Sequence, residues 1–352
     1  MVSLALGLTK RGHMVEFFLY YPRHDHFSHV LRERSIPIHS INKTSRFSIR
    51  PIMALWHLMK SVNYDAAVAF LPTPSVYAEI AHLVSRSVSL IVSERSVYMS
   101  ESLSPTVWCL QQGHRFSDYI TVNSEYQLNQ MLRLFPWMRG KATTIRNGVD
   151  LSVFKPACHS DYDCPEPKFL VLASVVPNKN AVGLVHALAF YQKKYGHKCT
   201  IHWAGRVLLD AESQEEYREA NRLLVRLGLQ EQWQWLGERK DVHELLQQYD
   251  ALIHPSFYEG FSNAICEAFA CGCPVLASNV CDNTYLVHEG ETGYLFNPSD
   301  HEDIARAMWQ FSAMSPRERA TMARYGRQIA ETELSLDVYI GRYERLLQEL
   351  VK

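Results

Sequence analysis

Apolar runs of strand length alternate with helical patterns along the first half of the chain. Strand-length runs occupy 66–70, 89–92 and 119–122, and a helical spacing of apolar residues marks 52–61 and 76–85. Strands that alternate with helices are typical of βαβ units, so the pattern predicts a parallel sheet covered by helices. The fold class predicted from this alternation is α/β.

The second half of the chain contains one distinctive stretch, 254–275. A short apolar run at 251–253 stops at Pro255, and a helical pattern ends at Gly272 before a second apolar run at 275–277. Proline and glycine at these places are typical ends of regular structure. The stretch therefore predicts a strand, a loop, a helix and a strand, in that order.

Two carboxylates mark this stretch as a candidate binding site. Glu259 falls in the loop, and Glu267 falls inside the helix, whose predicted N-cap is Ser262. The neighbours of Glu267 are apolar, and a carboxylate on a buried helix is costly unless a partner hydrogen-bonds to it. Gly260 allows a close approach to the backbone, and the first N–H groups of a helix attract anions. We expect a diphosphate at the helix N-terminus, flanked by two carboxylates that accept hydrogen bonds from hydroxyls.

The spacing of the two carboxylates also has a plain explanation, in which one offsets the helix dipole and forms a surface salt bridge. The whole string at 254–275, however, resembles the E-x7-E signature of the retaining glycosyltransferases of the glycosyl transferase group 1 family. That resemblance implies a GT-B fold, in which two Rossmann-like doubly wound parallel-sheet domains face a cleft. It further implies that Glu259 and the backbone after it hold the donor sugar, and that Glu267 holds the ribose of the nucleotide. The backbone positions so implied are Gly260, Phe261, Ser262 and Asn263.

A basic residue follows the first strand of the second half. Lys179 lies at the turn between the strand at 169–173 and a helix rich in Leu and Ala, where a lysine meets a phosphate as a point charge. A solvated surface charge is the alternative. The resemblance implies that this lysine binds the diphosphate, beside an arginine whose place is taken here by Ser174. The predicted site therefore lacks one cation unless Arg95 or Arg206 supplies it.

The tetrapeptide Ser-Glu-Arg-Ser at 93–96 follows the predicted strand at 89–92. Ligands of parallel sheets bind at the carboxyl ends of the strands. Many members of the family carry a histidine near this point, and some resemble the Ser-Glu-Arg sequence found here. The resemblance therefore implies that Glu94 and Arg95 face the donor sugar or the acceptor, and a salt-bridged loop is the alternative interpretation.

The length of 352 residues exceeds the size at which one hydrophobic core stops growing, so two domains are expected. Asn147-Gly148 is a strong turn signal, and the sequence around it resembles the family's link between domains. The predicted domains are 1–156, on the acceptor side, and 157–334, for the nucleotide sugar. The resemblance implies that a final helix within 335–352 packs back on the first domain.

The first residues resemble the first helix and the second strand of the family's acceptor domain, at 3–10 and 14–20. Members of the family place a strand and a glycine-rich loop before this helix, and here only Met1 stands ahead of that phrase. Such a strand lies in the middle of a doubly wound sheet, so the expectation is a large apolar gap or a resealed sheet. Either the reading frame begins too far downstream, or the protein has lost part of its acceptor site.

The charge balance and the lengths of the apolar runs argue against two classes of protein, those that bind nucleic acids and those that span membranes. The 36 Lys and Arg nearly balance the 37 Asp and Glu, which argues against a nucleic-acid partner. No apolar run reaches about 18 residues and no signal peptide is recognisable, so a cytoplasmic location is predicted.

The eight cysteines lack the C-x2-C pairs of a zinc site. Cys158, His159 and Cys164 lack a fourth ligand, so stray linker cysteines are the favoured interpretation and no metal is expected.

Two tryptophans are flanked by basic residues. The two groups are Trp56 with Arg46, Arg50 and Lys60, and Trp137 with Arg133, Arg139 and Lys141. Such patches suit peripheral contact with the inner, anionic face of a membrane that carries a lipid-linked acceptor. Tryptophans on helices of α/β domains usually lie in the core, which is the favoured interpretation.

The resemblance as a whole implies a retaining, metal-independent glycosyltransferase. Its expected reaction moves a hexose or N-acetylhexosamine from a nucleotide diphosphate sugar, with UDP chosen by frequency in the family. The expected acceptor is a glycan or lipid-linked glycan of a growing surface polysaccharide or lipopolysaccharide. Two alternatives stay open: a nucleotide-sugar-binding protein without activity, suggested by Ser174 and the missing strand, and a sugar-nucleotide epimerase on the same fold. A nicotinamide-dependent dehydrogenase is disfavoured because no G-x-G-x-x-G follows a strand.

Overall fold

The computed structural model describes residues 1–20, 27–43, 48–95, 104–156 and 166–351. Five residues named above lie outside these ranges: Arg46, Ser96, Cys158, His159 and Cys164. The chain divides into two compact units, of which the first comprises Met1–Asn147 with Leu336–Lys352 and the second comprises Gly148–Ser335.

The junction between the units falls earlier in the sequence than the predicted boundary at Pro156. The segment after Gly148 belongs to the second unit, because the N–H of Val149 donates to the carbonyl of Leu334 at 2.8 Å. Val149 and Phe154 also pack into the core of that unit. The Asn-Gly turn, rather than the prolines that follow it, marks the junction.

Parallel strands form the centre of the first unit. Its described strands are β1 (Phe17–Leu19), β2 (Ile38–Ser40), β3 (Ala66–Phe70), β4 (Ser89–Glu94), β5 (Tyr119–Val122) and β6 (Ala142–Thr144). The strands β3 to β6 form one parallel sheet in sequence order, and β1 pairs with β2 in a second one. The described residues therefore contain two separate sheets in this unit, not one resealed sheet.

The second unit is built on one parallel sheet. Its described strands are β7 (Lys168–Leu172), β8 (Thr200–Ala204), β9 (Trp233–Gly237), β10 (Ala251–His254), β11 (Val275–Ser278) and β12 (Gly293–Phe296). They lie in the order β12-β11-β10-β7-β8-β9. The order runs outwards in both directions from β7 and β10, so the loops after these two strands flank the switch point where such sheets bind ligands.

Helices pack on these sheets in both units. In the first unit these are α1 (Val2–Lys10), α2 (Ser28–Glu33), α3 (Arg50–Ser61), α4 (Pro72–Ser85), α5 (Pro105–Gly113) and α6 (Glu125–Leu134). In the second unit they are α7 (Ala181–Tyr195), α8 (Ala211–Leu227), α9 (Val242–Leu246), α10 (Asn263–Ala270), α11 (Asn283–Leu286), α12 (His301–Ser312) and α13 (Pro316–Thr332). The final helix, α14 (Leu336–Leu350), returns to the first unit. None of the helices in the described ranges is long and apolar enough to span a bilayer.

The final helix is anchored in the first unit by a buried tyrosine. The side chain of Tyr343 is fully buried, and its hydroxyl lies 3.1 Å from Ser93 Oγ at the end of β4 and 3.0 Å from Thr121 Oγ1 in β5. Leu4 and Leu8 of α1 pack in the same core cluster as this tyrosine. The helix that the resemblance placed on the first domain thus lies against its sheet.

The predicted alternation of strands and helices is confirmed, whereas several element boundaries differ. The strand β3 has the predicted bounds, but α4 begins at Pro72, four residues before the predicted start. The predicted strand at 14–20 shortens to β1, because Met14 lies fully exposed and outside the sheet. The long amphipathic helix α8 was not predicted.

Both tryptophans of the predicted membrane patches pack against the core. Trp56 packs on the buried cluster that contains Met59, and the Lys60 ammonium lies 5.3 Å from its ring centroid. Trp137 packs beside the buried Met138, with the guanidinium of Arg115 4.9 Å from its ring centroid. Both rings therefore pack on buried residues, as the core interpretation predicts, and Lys60 and Arg115 lie over them.

Candidate functional site

Two loops of the second unit are joined at the switch point of its sheet. The loop after β7 contributes Asn178, and the loop after β10 contributes Phe257 and Tyr258. The Asn178 amide accepts from the Tyr258 N–H at 3.1 Å and donates to the Tyr258 carbonyl at 3.0 Å. The Phe257 N–H donates to the Asn178 carbonyl at 2.9 Å. These bonds fix the two loops together although they lie 80 residues apart in sequence.

Asn180 ties the same loops to the start of α7. Its backbone is left-handed (φ 61°), a conformation that asparagine tolerates better than most residues, and its side chain caps the helix by accepting from Gly183 N–H at 3.2 Å. Its buried amide nitrogen donates to the carbonyls of Pro298 at 2.8 Å and Pro255 at 3.3 Å. The loop that carries the neighbouring lysine is therefore held from three sides.

The substitution Asn180→Ala is expected to lower the free energy of unfolding by about 2–3 kcal/mol, because it removes a cap and leaves buried carbonyls unsatisfied. Urea denaturation followed by circular dichroism measures the change. The matched control is Asp210→Ala at the exposed N-cap of α8, where Asp210 accepts from Ser213 N–H at 2.9 Å. The control should cost about 1 kcal/mol. Equal losses in the two variants would contradict the bridging role of Asn180.

Lys179 and Glu259 meet at this junction. The Lys179 ammonium forms an ion pair with Glu259 Oε2, and the two side chains are 18% and 21% exposed. Both groups are accessible at the carboxyl edge of the sheet, in the loops that follow β7 and β10. The two residues singled out from separate stretches of the sequence therefore lie in direct contact.

The buried His254 hydrogen-bonds to Glu259. Its side chain is 3% exposed, and its Nε2 lies 3.2 Å from Glu259 Oε2 and 3.3 Å from Ser256 Oγ. Burial lowers the pKa of His254, so the imidazole is neutral near pH 7. A neutral ring facing a carboxylate carries its proton on Nε2, which assigns His254 as the hydrogen-bond donor. No role was predicted for this histidine, because its position in an apolar strand is equally typical of a core residue.

Glu259 is ionised throughout the physiological pH range. Burial acts to raise its pKa, but the hydrogen bond from His254 and the charge of the Lys179 ammonium outweigh burial and hold the pKa at about 2. Because the His254 ring is neutral near pH 7, Lys179 is the cation that compensates the charge of Glu259. The site therefore presents an ionised carboxylate in direct contact with the Lys179 side chain.

The helix α10 begins four residues after Glu259. Ser262 is its N-cap, as predicted, and the Ser262 hydroxyl accepts from the Ile265 N–H at 3.4 Å. The side chain of Phe261 is 6% exposed and packs in the core, so only its backbone is able to reach a ligand. Gly260 is partly exposed and Asn263 is exposed. The positive end of the helix dipole therefore lies directly beside the Lys179–Glu259 pair.

Glu267 lies one turn further along α10. It is partly buried, and burial alone raises its pKa to about 7. Its carboxyl group has no hydrogen-bond or ion-pair partner among the residues that the structure describes. Partly buried carboxylates normally have such a partner, and an unsatisfied one is a candidate for ligand binding.

Ser174 and Arg206 lie side by side at the same sheet edge. The N–H of Val175 donates to the Arg206 carbonyl at 2.9 Å, so the segments after β7 and β8 run together past the sheet. Ser174 is partly exposed, and the side chain of Arg206 is exposed, with no ion-pair partner in the described ranges. Arg206 is therefore exposed on the segment that runs beside Ser174 at this edge.

Glu94 and Arg95 belong to the first unit, at the end of β4. Glu94 is 2% exposed, and its carboxylate accepts from the Arg95 N–H at 2.8 Å and from Gln111 Nε2 at 3.1 Å. The prediction that Glu94 faces a ligand is corrected by this burial, because its oxygens are used inside the protein. Glu94 Oε2 also lies 3.7 Å from His114 Nε2, so this carboxylate forms an ion pair inside the protein, in keeping with the salt-bridged alternative.

A buried histidine beside Glu94 was missed by the sequence analysis. His114 Nδ1 lies 2.6 Å from Glu79 Oε1, and His114 Nε2 lies 3.7 Å from Glu94 Oε2. Burial acts to lower the pKa of His114, but its hydrogen bonds and charge interactions with the two glutamates raise the pKa to about 9. No spacing in the sequence predicts this group, because its members come from separate helices and a strand.

Two family models match the chain. The one described as "Glycosyl transferases group 1" matches residues 162–329, and the one described as "Glycosyltransferase Family 4" matches residues 1–153. The second unit of the chain belongs to the glycosyl transferases group 1 family. Together the two matches include the described strands of all three sheets.

Curated relatives match only part of their own length. The D-inositol 3-phosphate glycosyltransferase of Saccharomonospora viridis is 26% identical over 241 residues, which is 63% of this chain and 55% of the relative. A Campylobacter jejuni enzyme is 24% identical over 248 residues, covering 68% of this chain and 65% of the relative; it is the N-acetylgalactosamine-N,N'-diacetylbacillosaminyl-diphospho-undecaprenol 4-alpha-N-acetylgalactosaminyltransferase. The match therefore spans between about half and two thirds of these relatives.

Solved structures resemble the chain over nearly all of its length. A glycosyltransferase from Rickettsia africae superposes with a TM-score of 0.85 at 17% identity, covering 100% of this chain and 94% of that chain. Anabaena HepE in complex with UDP-glucose superposes with a TM-score of 0.80 at 19% identity, covering 99% and 96%. This likeness shows the fold. The family member has the GT-B fold, with two Rossmann-like parallel-sheet units, as the resemblance implied.

Proposed function

We propose that the protein is a retaining glycosyltransferase that moves a hexose or N-acetylhexosamine from a UDP-sugar to a glycan or lipid-linked glycan. The observation that carries this proposal is the group formed by Lys179, Glu259 and the N-terminus of α10 at the switch point of the sheet, with Glu267 one turn along that helix. Together these groups offer a cation, helix amides and two carboxylates to one elongated polar ligand.

The donor and acceptor classes are supported by what similar proteins bind. The HepE structure that this chain resembles contains UDP-glucose. The Campylobacter relative is named for transfer to a diphospho-undecaprenol glycan. These names support a nucleotide sugar as donor and a lipid-linked glycan as one acceptor class, with a peripheral location at the membrane face where such lipids lie.

Positive charge at the site matches the charge that the reaction creates. Cleavage of the bond between sugar and phosphate leaves negative charge on the departing diphosphate, while the sugar carbon becomes cationic. The Lys179 ammonium has three donors, so it is able to serve a diphosphate oxygen and keep one bond to Glu259. Together with the helix dipole of α10, and with Arg206 exposed on the segment that pairs with Val175, this lysine offers the positive charge for departure without a metal ion.

Glu259 has a different role from the cations. Its carboxylate is held by His254 and Lys179, which fixes its position and keeps it ionised. We assign it to hydrogen-bond the donor sugar and to stabilise the cationic carbon electrostatically, not to attack it. The acceptor hydroxyl attacks from the face that the diphosphate leaves and transfers its proton to the departing phosphate, so the configuration at the sugar carbon is retained.

Transfer from radiolabelled donors tests this proposal. The purified protein is incubated with UDP-glucose, UDP-galactose or UDP-N-acetylglucosamine and a lipid extract as acceptor, and labelled lipid is separated from free sugar. Transfer with retained anomeric configuration supports the proposal. Binding without transfer or hydrolysis would instead favour the inactive nucleotide-sugar-binding protein, for which the replacement of an arginine by Ser174 is the motivating feature. Conversion of the donor without acceptor would favour an epimerase.

The substitution Lys179→Gln is expected to weaken UDP-glucose binding by about ten- to a hundredfold, because it removes a charge-assisted hydrogen bond to the diphosphate. Isothermal titration calorimetry measures the affinity. The matched control is Lys193→Gln, an exposed lysine in the last turn of α7, the helix that follows Lys179 in the sequence. An affinity equal to that of the control would remove Lys179 from the donor site.

A further inference from the structure

Arg95 lies at the carboxyl end of β4 and is held by neutral groups. Its Nε donates to Ser93 Oγ at 3.0 Å, and its terminal nitrogens donate to Asn147 Oδ1 and, at 3.3 Å, to the Tyr343 hydroxyl. The centre of its guanidinium lies 5.3 Å from the centroid of the Phe70 ring. These contacts fix the orientation of the side chain without neutralising its charge.

The guanidinium has no carboxylate partner among the residues that the structure describes. Arginine is always ionised and carries five N–H donors, of which the three bonds above use three. The Tyr339 hydroxyl lies close by as a further neutral group. A partly buried arginine normally pairs with a carboxylate, since the charge is costly to remove from water. Among the described residues, Arg95 is therefore a fixed cation without a carboxylate partner, and it lies at the ligand-binding edge of a parallel sheet.

The acidic neighbour of Arg95 is not available to neutralise it. The Glu94 carboxylate accepts from Gln111 and from the backbone of Arg95, and it lies beside the protonated ring of His114. Glu79 contacts the same ring, so the two buried glutamates share one protonated histidine. The sequence Glu-Arg thus places the two charges in different surroundings, one inside the protein and one at the edge.

The hydroxyl groups behind Arg95 form a rigid support. The hydroxyl of Tyr343 lies within hydrogen-bond distance of Ser93 and Thr121, and all three side chains are fully buried. Because these groups come from β4, β5 and α14, the orientation of the guanidinium is set by the packed core of the unit. A pre-oriented fork of donors binds a tetrahedral oxyanion with little loss of side-chain entropy.

We propose that Arg95 binds a phosphate group of a substrate. The inference rests on the proposed function, because the substrates of that reaction carry phosphate. Two sources share this chemistry: the diphosphate of the nucleotide-sugar donor and the phosphate of a lipid-linked or phosphorylated acceptor. The planar guanidinium forms two parallel hydrogen bonds to phosphate oxygens, which a lysine at the same place does not.

Titration with pyrophosphate tests the site independently of sugar transfer. Calorimetry at fixed ionic strength is done in a Lys179→Gln background, so that anion binding in the second unit contributes little. Adding Arg95→Gln is expected to weaken pyrophosphate binding by about tenfold or more. The matched control is Arg133→Gln, which removes an exposed arginine of the same unit. Equal affinities in the Arg95 and Arg133 variants would overturn the proposal.

Kinetics of the otherwise unaltered protein distinguish the two sources. If Arg95 serves the donor, Arg95→Gln raises the KM for the UDP-sugar; if it serves the acceptor, the KM for the phosphate-bearing acceptor rises instead. A merely structural role predicts a lower unfolding midpoint with both KM values and pyrophosphate affinity unchanged, which contradicts the proposal. Should the glutamine variant not fold, Arg95→Lys is judged by the same measurements. Loss of pyrophosphate binding without any detectable sugar transfer would retain the anion site and reject the proposed function.

Discussion

Replacement of Glu259 by glutamine is expected to lower the turnover of sugar transfer by about 10²–10³-fold, the range found when one electrostatic contact to a transition state is removed. The carboxylate is ionised at every working pH because its pKa lies at about 2. Glutamine retains the size and a carbonyl oxygen but loses the charge that faces the cationic sugar carbon. Glu259→Ala is expected to have an effect at least as large.

Donor affinity should change much less than turnover. In the variant, Lys179 loses its ion-pair partner and its ammonium interacts more strongly with the diphosphate, which offsets the lost contact to the sugar. Steady-state kinetics with UDP-glucose give turnover, and calorimetry gives affinity. Glu231→Gln, at an exposed position before β9, is the matched control. Transfer rates equal to those of this control would withdraw the role assigned to Glu259.

The strand–loop–helix–strand unit around this glutamate was predictable because the residues at each boundary themselves determine where the strand or helix begins and ends. Pro255 ends the strand, the Ser262 hydroxyl caps the helix, and Gly272 follows it with a left-handed backbone (φ 67°). Each signal acts within a few residues, so no knowledge of distant partners is needed. The predicted helix and strand bounds accordingly match the structure to within one residue at either end.

The contacts that complete the site were not predictable in the same way. Asn178 reaches Tyr258 across 80 residues, and this pairing follows from the neighbouring positions of β7 and β10 in the sheet. The prediction for Glu94 failed for a related reason. Whether a carboxylate at a strand end turns outwards or inwards depends on side chains from other elements, here Gln111 and His114. Strand order and helix packing decide such contacts, and neither is contained in local patterns.

Nucleotide affinity is expected to rise with pH through the titration of Glu267. Its pKa is raised from an ordinary 4.5 to about 7, so near neutral pH about half of the free protein carries this carboxyl protonated. Ribose hydroxyls donate hydrogen bonds more strongly to the carboxylate than to the acid, so binding favours ionisation and releases a proton. The affinity for UDP-glucose should therefore increase by several fold from about pH 6 to about pH 8.

The raised pKa of Glu267 also means that ionisation of this carboxyl lowers the stability of the folded protein as the pH rises. A carboxyl whose pKa is higher in the folded than in the unfolded protein contributes stability below its unfolded value of 4.5, and that contribution is lost as the pH rises towards about 7. Glu267→Gln removes this titration, so relative to the original protein the variant should gain roughly 1–3 kcal/mol between about pH 4.5 and pH 8. Urea denaturation at the two pH values measures the difference.

Binding and stability together make the assignment of Glu267 testable on two grounds. Glu267→Gln should weaken UDP-glucose binding by about ten- to a hundredfold at about pH 8 and abolish its pH dependence. UDP-glucose is a suitable probe because both of its phosphates keep a constant charge over this range. Glu231→Gln again serves as the control, since it removes an exposed carboxylate from the same unit. If the variant became more stable at high pH but bound UDP-glucose as tightly as the control, the carboxyl would be buried as inferred and the ribose contact would belong to another residue.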